Sequence, residues 1–454
     1  MPPVWRFVAE PTAVPAVLLD LNDGGQWRTL DYDVSPPPLR RTIAASSMRD
    51  GGIVTSASYE LRELPFTVQL GAATEDGRNQ QLKDLEEELS KPANLLMYQS
   101  PDSSFPVFFR TLRSDSFRLD KNSMPGTAWR VECSVLAEPF AIGLRQSLVT
   151  NATITNNPAS GTNPARIDIT GVTGDAPSPA YIRLGTNITA ATYFLLGQKT
   201  GNATALNPFV QAETGTFGTD TALGANDAAM SGSGSNRATV TFATDASLIT
   251  RLTVTAPVTL RGTYRVYARV RQGAAADIRM RYSVPTSSDV LGPYVDLSYT
   301  GSTLDLVDLG LIDFPFAWQA PAEIGYSRQG LTYSSQSIRI MAARLTGSGN
   351  LDIDYVYFMP ADERLCSFQQ TESTGFLCVD GPNEAAYGLT SGSDPFGGTR
   401  TYQGNSVFPL IGGVPHLVPG VTNRWFLLRG RGSAITNTTS LWVDHWPRWR
   451  EVAV

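Results

Sequence analysis

A chain of 454 residues exceeds the roughly 100–200 that one compact domain usually holds, so three domains are expected. Charged residues make up only 17% of it, against 40 glycines and 30 prolines, a balance that favours short strands joined by turns over long salt-bridged helices. The net charge of −6 argues against a phosphate-binding surface and so against nucleic acid as a partner, and no run of about 18 apolar residues is present to insert into a membrane.

The opening MPPVWRFVAEPTAVPAVLLD lacks a basic start and is broken by Pro11 and Pro15, so no secretory leader is expected. Residues 1–148 then alternate strands and turns. In YELRELPFTVQL the apolar positions Leu64, Phe66, Val68 and Leu70 recur every second residue and share one face of a strand. One helix interrupts them, DGRNQQLKDLEEELSKP, with Leu82, Leu85 and Leu89 as its apolar stripe, Asp76 as its expected cap and Pro92 as its stop. The consecutive Glu86, Glu87 and Glu88 point about 100° apart and read as a solvated face rather than a catalytic pair.

Between Thr150 and Pro164 large apolar residues nearly vanish, which reads as a linker. Two strands follow, in ARIDITGV and AYIRLG, and residues 190–240 read as mostly loop. From residue 250 onward RLTVTAPVTL, GTYRVYARVRQG, ADIRMRYSV, QSIRIMAARLTGSG and NLDIDYVYFMP carry the two-residue period of a sandwich that closes at Pro360. Residues 361–454 are again strand and turn. The fold class expected is mainly β: an N-terminal α+β unit with one helix, then two β-sandwiches.

Chemistry is sparse. Cys133, Cys366 and Cys378 show no CxxC spacing and read as packed thiols. His416 and His445, the only histidines, fit no metal or triad spacing, and no Walker A, GxSxG or dinucleotide fingerprint occurs. GSGSNRA opens onto a strand, not a helix, and so is a turn. Asp352 and Asp354, two apart on a strand, share a face; two exposed carboxylates are favoured there over a Ca²⁺ site. The sequons at Asn151, Asn187, Asn202 and Asn437 are coincidences of composition. No catalytic residue and no cofactor is assigned, and the chain is expected not to be an enzyme.

The strand order of the first unit, its helix GRNQQLKDLEEELSK, the aromatic strand VFFRTLRSDSF and the exit WRVECSVLAEPFAIG resemble the N-terminal domain of the distal tail protein of siphovirus-type bacteriophages. That resemblance implies a ring, hexameric in the family, that joins the tail tube to the adsorption apparatus. Its implied partners are other copies, the tail tube protein, the tail hub and other tail-tip proteins. Its implied location is the distal end of the virion tail, after synthesis in the host cytoplasm.

VQAETG, GTYRVYARVR and LDIDYVYFMP resemble a jelly-roll carbohydrate-binding module, which implies a structural calcium held by Glu213 and Asp354 and contact with host surface glycans. Trp318, with Phe314 and Phe316 nearby, is read as core rather than as a sugar platform, and no sugar site is named. GGVPHLVPGVTNRWFLL and SLWVDHWPRW resemble the closing strands of phage tail-tip proteins, with one residue inserted in PGVTN. ARIDITGVTGDAPSPAYIRLG resembles the opening of the same sandwich. The domains expected are therefore 1–148, a discontinuous sandwich of 149–195 plus 361–454, and an inserted jelly roll at 196–360.

The alternatives are a receptor-binding or baseplate protein adhering to cell-wall polysaccharide, and a tail-associated glycoside hydrolase, for which no carboxylate pair stands out. In the last strand, Trp442, Asp444 and Trp446 fall on one face while Leu441, Val443 and His445 fall on the other. Asp444 and His445 thus point apart and cannot act as a pair. Pro447 ends the strand, and Trp442, Trp446 and Trp449 are expected to seal a sandwich edge or form an interface between subunits.

Overall fold

The computed structural model describes residues 3–45, 52–114, 117–120, 128–160, 165–185, 193–201, 208–231, 236–257, 260, 262–285, 289–298, 303–314, 336–369, 376–389, 400–401, 407–430 and 438–452. Phe316 and Trp318, and the sequons at Asn187, Asn202 and Asn437, lie outside the described residues.

The N-terminal unit runs β1 (Val4–Val8), β2 (Val17–Asp20), β3 (Trp27–Tyr32), β4 (Leu39–Ala45), β5 (Gly52–Tyr59), β6 (Arg62–Leu70), α1 (Glu75–Ser90), β7 (Ala93–Gln99), β8 (Val107–Leu112), β9 (Phe117–Asp120), β10 (Trp129–Ala137) and β11 (Ala141–Ile142). Its sheet has the order β2-β1-β7-β8-β10-β6-β3, with β9 on β10 and β11 on β8. The two-residue period of β6 sends Leu64, Phe66, Val68 and Leu70 into a core with Trp5, Phe7 and Trp129.

Leu85 and Leu89 of α1 enter that core, with Leu82 packed against it. The cap is Thr74, not Asp76: Thr74 is extended and its hydroxyl accepts from the Gly77 amide at 3.1 Å, which leaves Asp76 inside the first turn beside the positive end of the helix. Lys91 precedes Pro92 and is forced extended, so the helix stops there.

The chain continues as β12 (Gln146–Thr155), β13 (Arg166–Ile169), β14 (Ser178–Pro179), β15 (Tyr181–Gly185) and β16 (Tyr193–Thr200). The expected linker is therefore partly a strand. β12 lies at a sheet edge with one side in solvent, so its polar residues need no burial while Val149 and Ile154 reach the core.

Then follow β17 (Phe209–Gln211), β18 (Thr216–Phe217), β19 (Thr221–Leu223), β20 (Ala238–Val240), β21 (Ile249–Thr255), β22 (Gly262–Gln272), β23 (Ala276–Val284), β24 (Val290–Leu291), β25 (Val295–Leu297), β26 (Leu304–Phe314), β27 (Ser337–Gly347) and β28 (Leu351–Pro360). They form two facing sheets, β19-β20-β28-β22-β26 with β17 on β28, and β18-β21-β27-β23-β24 with β25 on β23. Between the sheets lies a core that includes Val254, Ile278, Ile340 and Ile353.

The chain returns as β29 (Arg364–Gln369), β30 (Phe376–Asp380), β31 (Ala385–Leu389), β32 (Arg400–Thr401), β33 (Val407–Ile411), β34 (His416–Leu417), β35 (Asn423–Arg429), β36 (Thr438–His445) and β37 (Arg448–Trp449). These strands interleave with the earlier ones as β12-β36-β15-β30-β31-β32, β13-β35-β16-β29-β33 and β14-β34. The middle sheet is buried on both faces. In β35, Trp425 and Leu427 enter one core while Phe426 and Leu428 enter that of the 208–360 sandwich, and Leu196 and Leu195 of β16 divide the same way. Apolar side chains on both sides of one strand are what a sheet with two covered faces demands.

Candidate functional site

The last strand pair is the joint of the molecule. Leu441 and Val443 are fully buried in the sandwich core, and Trp442 lies on the opposite face, with the Arg183 guanidinium 5.0 Å over its ring and Phe376 edge-on at 5.4 Å. Beyond Pro447 the chain leaves the sandwich and joins the N-terminal sheet, where Trp449 pairs with Ala141 and Arg448 with Ile142. The Trp449 ring packs against the N-terminal core, and Trp446 packs against the cluster that holds Phe108 and Ile142 and, edge to face, against Tyr181. Trp446 and Trp449 thus make a contact between two parts of one chain.

Hydrogen bonds pin this segment. The Gly143 amide donates to the Pro447 carbonyl at 2.8 Å, the Asp175 amide to the Arg448 carbonyl at 2.8 Å, and the Arg450 amide to the Asp175 carboxylate at 3.0 Å. Arg62, buried in β6, donates to the Arg450 carbonyl, and burial pushes its guanidinium down to about 10. A Cβ on Gly143 would stand 2.8 Å from Trp449 Nε1, so the close approach of the two segments requires glycine.

Asp444 and His445 do point apart, and both are buried. Asp444 forms an ion pair with Arg145 at 2.8 Å. His445 Nδ1 lies 2.8 Å from Ser178 Oγ and Nε2 lies 3.2 Å from Gln146 Oε1, which fits a neutral ring that donates from Nε2 and accepts at Nδ1. Burial pushes His445 down to about 4, and does the same to His416. All three cysteines are buried thiols, and burial raises Cys133 to about 12 and Cys366 further.

The exposed-carboxylate reading of Asp352 and Asp354 is overturned: the first is 6% exposed and the second 0%. β22 pairs with β28, which sets Arg269 and Arg271 beside them. Asp352 accepts from Arg271 at 2.8 Å and from Thr239 Oγ1 at 2.7 Å, with Arg237 at 2.9 Å. Asp354 accepts from Arg269 on one oxygen and from the Ser231 amide and hydroxyl at 2.7 and 2.8 Å on the other.

These donors occupy both oxygens of Asp354, one of the two residues for which a calcium was implied with Glu213. A buried guanidinium already neutralises Asp354, and among the described residues no three His, Cys, Asp or Glu side chains gather to hold a metal. The sequence shows the two-residue spacing of Arg269 and Arg271 and that of Asp352 and Asp354, but only the pairing of β22 with β28 sets one beside the other.

Among the described residues the N-terminal sheet ends in two unlike edge strands. At one, β2 leaves Val17 and Leu18 exposed, with Val14 90% exposed beside it; at the other stands β3, with Leu30 exposed. The chain leaves β3 into a ribbon in which β4 pairs only with β5 among the described residues, Leu39 opposite Tyr59 through Ala45 opposite Gly52.

No protein-family profile matches this sequence, and neither does any curated protein. Among solved structures, the SPP1 Dit (gp 19.1) protein, described as a paradigm of the hub adsorption apparatus in phages infecting Gram-positive hosts, is similar at 10% identity and a TM-score of 0.31, over 78% of this chain and 99% of that one. A chain of the phage P2 baseplate in its activated conformation with Ca is similar at 8% identity and a TM-score of 0.34, over 98% of both chains. A chain of the p2 baseplate activated with Sr is similar at 9% identity and a TM-score of 0.28, over 97% of both. Likeness of this degree transfers no residue role to this chain.

Proposed function

We propose that this chain is a structural component of a bacteriophage tail tip, a distal-tail-type ring that connects the tail tube to the host-adsorption apparatus. The observation that carries the reading is the N-terminal sheet, which ends in two different edge strands and, among the described residues, extends a ribbon that pairs with no other strand. A two-stranded ribbon is marginally stable alone in water, and an open apolar edge is a template for another strand. Two unlike surfaces on one protomer associate head to tail, which closes into a ring when the rotation permits. The sequence resemblance of residues 1–148 supports the same reading and the hexameric count.

The partners proposed are further copies, the tail tube protein, the hub and other tail-tip proteins, in the virion at the distal end of the tail. Native mass spectrometry and negative-stain imaging test the proposal: the expected species has six times the 49.0 kDa chain mass and images as a ring with projecting lobes. Replacing residues 38–60 by a short Gly-Ser turn should leave a folded monomer. A wild-type chain that stays monomeric at every concentration, or a ribbonless chain that forms rings equally well, would overturn the reading.

A further inference from the structure

Between the N-terminal sheet and the strands of the discontinuous sandwich lies a cavity of about 150 Å³. Its aromatic wall is Trp446 and Tyr181, whose rings meet edge to face at 6.4 Å and 90°. Its polar lining is Asp380, Asn383, Arg448 and the pair Arg110–Glu138, 3.6 Å apart. We propose that this cavity binds one neutral pyranose ring of a saccharide, its apolar face against Trp446 and its hydroxyls on Asp380 and Arg448.

Size sets the first limit. The volume is below the roughly 300–1,000 Å³ of pockets for drug-sized ligands, so the cavity takes a single ring and not an oligosaccharide. Charge sets the second. The lining carries two guanidinium groups and two carboxylates, so it has no net charge with which to select a cation or an anion. A neutral ligand with many hydroxyls suits such a lining.

The polar groups are also held ready. Asp380 is 8% exposed and accepts from the Asn383 amide at 3.3 Å and Nδ2 at 2.7 Å, which leaves part of its acceptor capacity for hydroxyls. Arg448 brings five donors in a fixed plane, and burial pushes its guanidinium down, so hydrogen bonds made to it here gain from the partial exclusion of water. The Tyr181 hydroxyl is already 2.5 Å from that of Tyr387, so Tyr181 contributes ring surface. A pyranose supplies the complement, one face of C–H groups and a rim of hydroxyls.

The site is independent of the ring reading and stands outside the 208–360 sandwich. The test uses the full-length protein, with saturation-transfer NMR and tryptophan fluorescence, and methyl glycosides of glucose, galactose, N-acetylglucosamine and rhamnose as probes. At least one should bind at about millimolar Kd, and Arg448→Gln and Asn383→Ala should each weaken it about tenfold in chains that keep the wild-type circular dichroism spectrum. Methyl glucuronide and methyl glucosaminide should bind more weakly than the neutral sugars.

No binding by any probe would overturn the proposal. So would tighter binding of a charged sugar, or equal affinity in both variants, which would put the sugar elsewhere on the chain. None of these outcomes touches the oligomer mass that tests the ring.

Discussion

At the scale of single residues, the buried charges decide most. Asp354 and Arg269 are both essentially out of water, so removing one strands the other. Asp354→Ala should cost about 3–5 kcal/mol, read as a drop in the denaturation midpoint, and a near-neutral effect would mean the pair is looser than drawn. The same geometry predicts that neither EDTA nor added Ca²⁺ shifts the melting temperature. A chelator-sensitive melt would restore the metal.

His445 sets a pH dependence whose sign follows from its depressed value. The unfolded chain takes up this proton near 6.5, the folded one only near 4, so the unfolded state binds more protons between those values and stability falls as pH falls through that window. The loss is on the order of a few kcal/mol by pH 4, and because His416 is depressed alike, His445→Gln should remove about half of that part of a melting-temperature profile and the double replacement with His416→Gln the rest. Residue identity hinted at little of this. Asp352 and Asp354 read as surface carboxylates because their arginines sit some 80 residues earlier, and only β22 lying beside β28 joins the two spacings.

At the scale of elements, periodicity was legible wherever a strand has one wet face or the helix one dry stripe. β6 and α1 show this, and the helix missed only its cap, because Thr74 and Asp76 are both capping types and the backbone conformation chooses. β12 hid in a polar stretch because an edge strand needs few apolar side chains. β35 hid its role differently: Trp-Phe-Leu-Leu carries no alternation, since both of its faces are covered.

The closing tryptophans were visible as a cluster, but not their destination. Trp449 belongs to the packing of the N-terminal core, so Trp449→Ala should destabilise that unit by about 2 kcal/mol, less than a fully buried tryptophan would lose. Hydrogen exchange should report the loss at β8 and β11. Loosening confined to the strands around β36 would contradict the assignment.

At the scale of the whole molecule, three cores are stacked along a chain that turns back on itself. β16 and β29 are neighbours, with Gln198 opposite Arg364, so the ends of the intervening 208–360 sandwich emerge side by side. A simple insertion would then be removable, but the middle sheet faces it with Leu195, Leu365, Phe426 and Leu428. Joining Gly201 to Ala361 should therefore give a chain that pairs its strands yet aggregates, and polar residues at Phe426 and Leu428 should restore solubility. A soluble, monodisperse excised chain without those changes would show that the apolar face is covered some other way.

Composition and short-range period alone determined that this protein is mainly β and that it carries one amphipathic helix in its first third, because those properties depend on neighbours within a few residues. Tertiary structure alone decided that the last strand returns to the first sheet, that one central sheet is dry on both faces, and that Asp352 and Asp354 are buried against Arg271 and Arg269. Each of these brings together residues tens to hundreds of positions apart, and no local pattern encodes which distant strand will lie alongside.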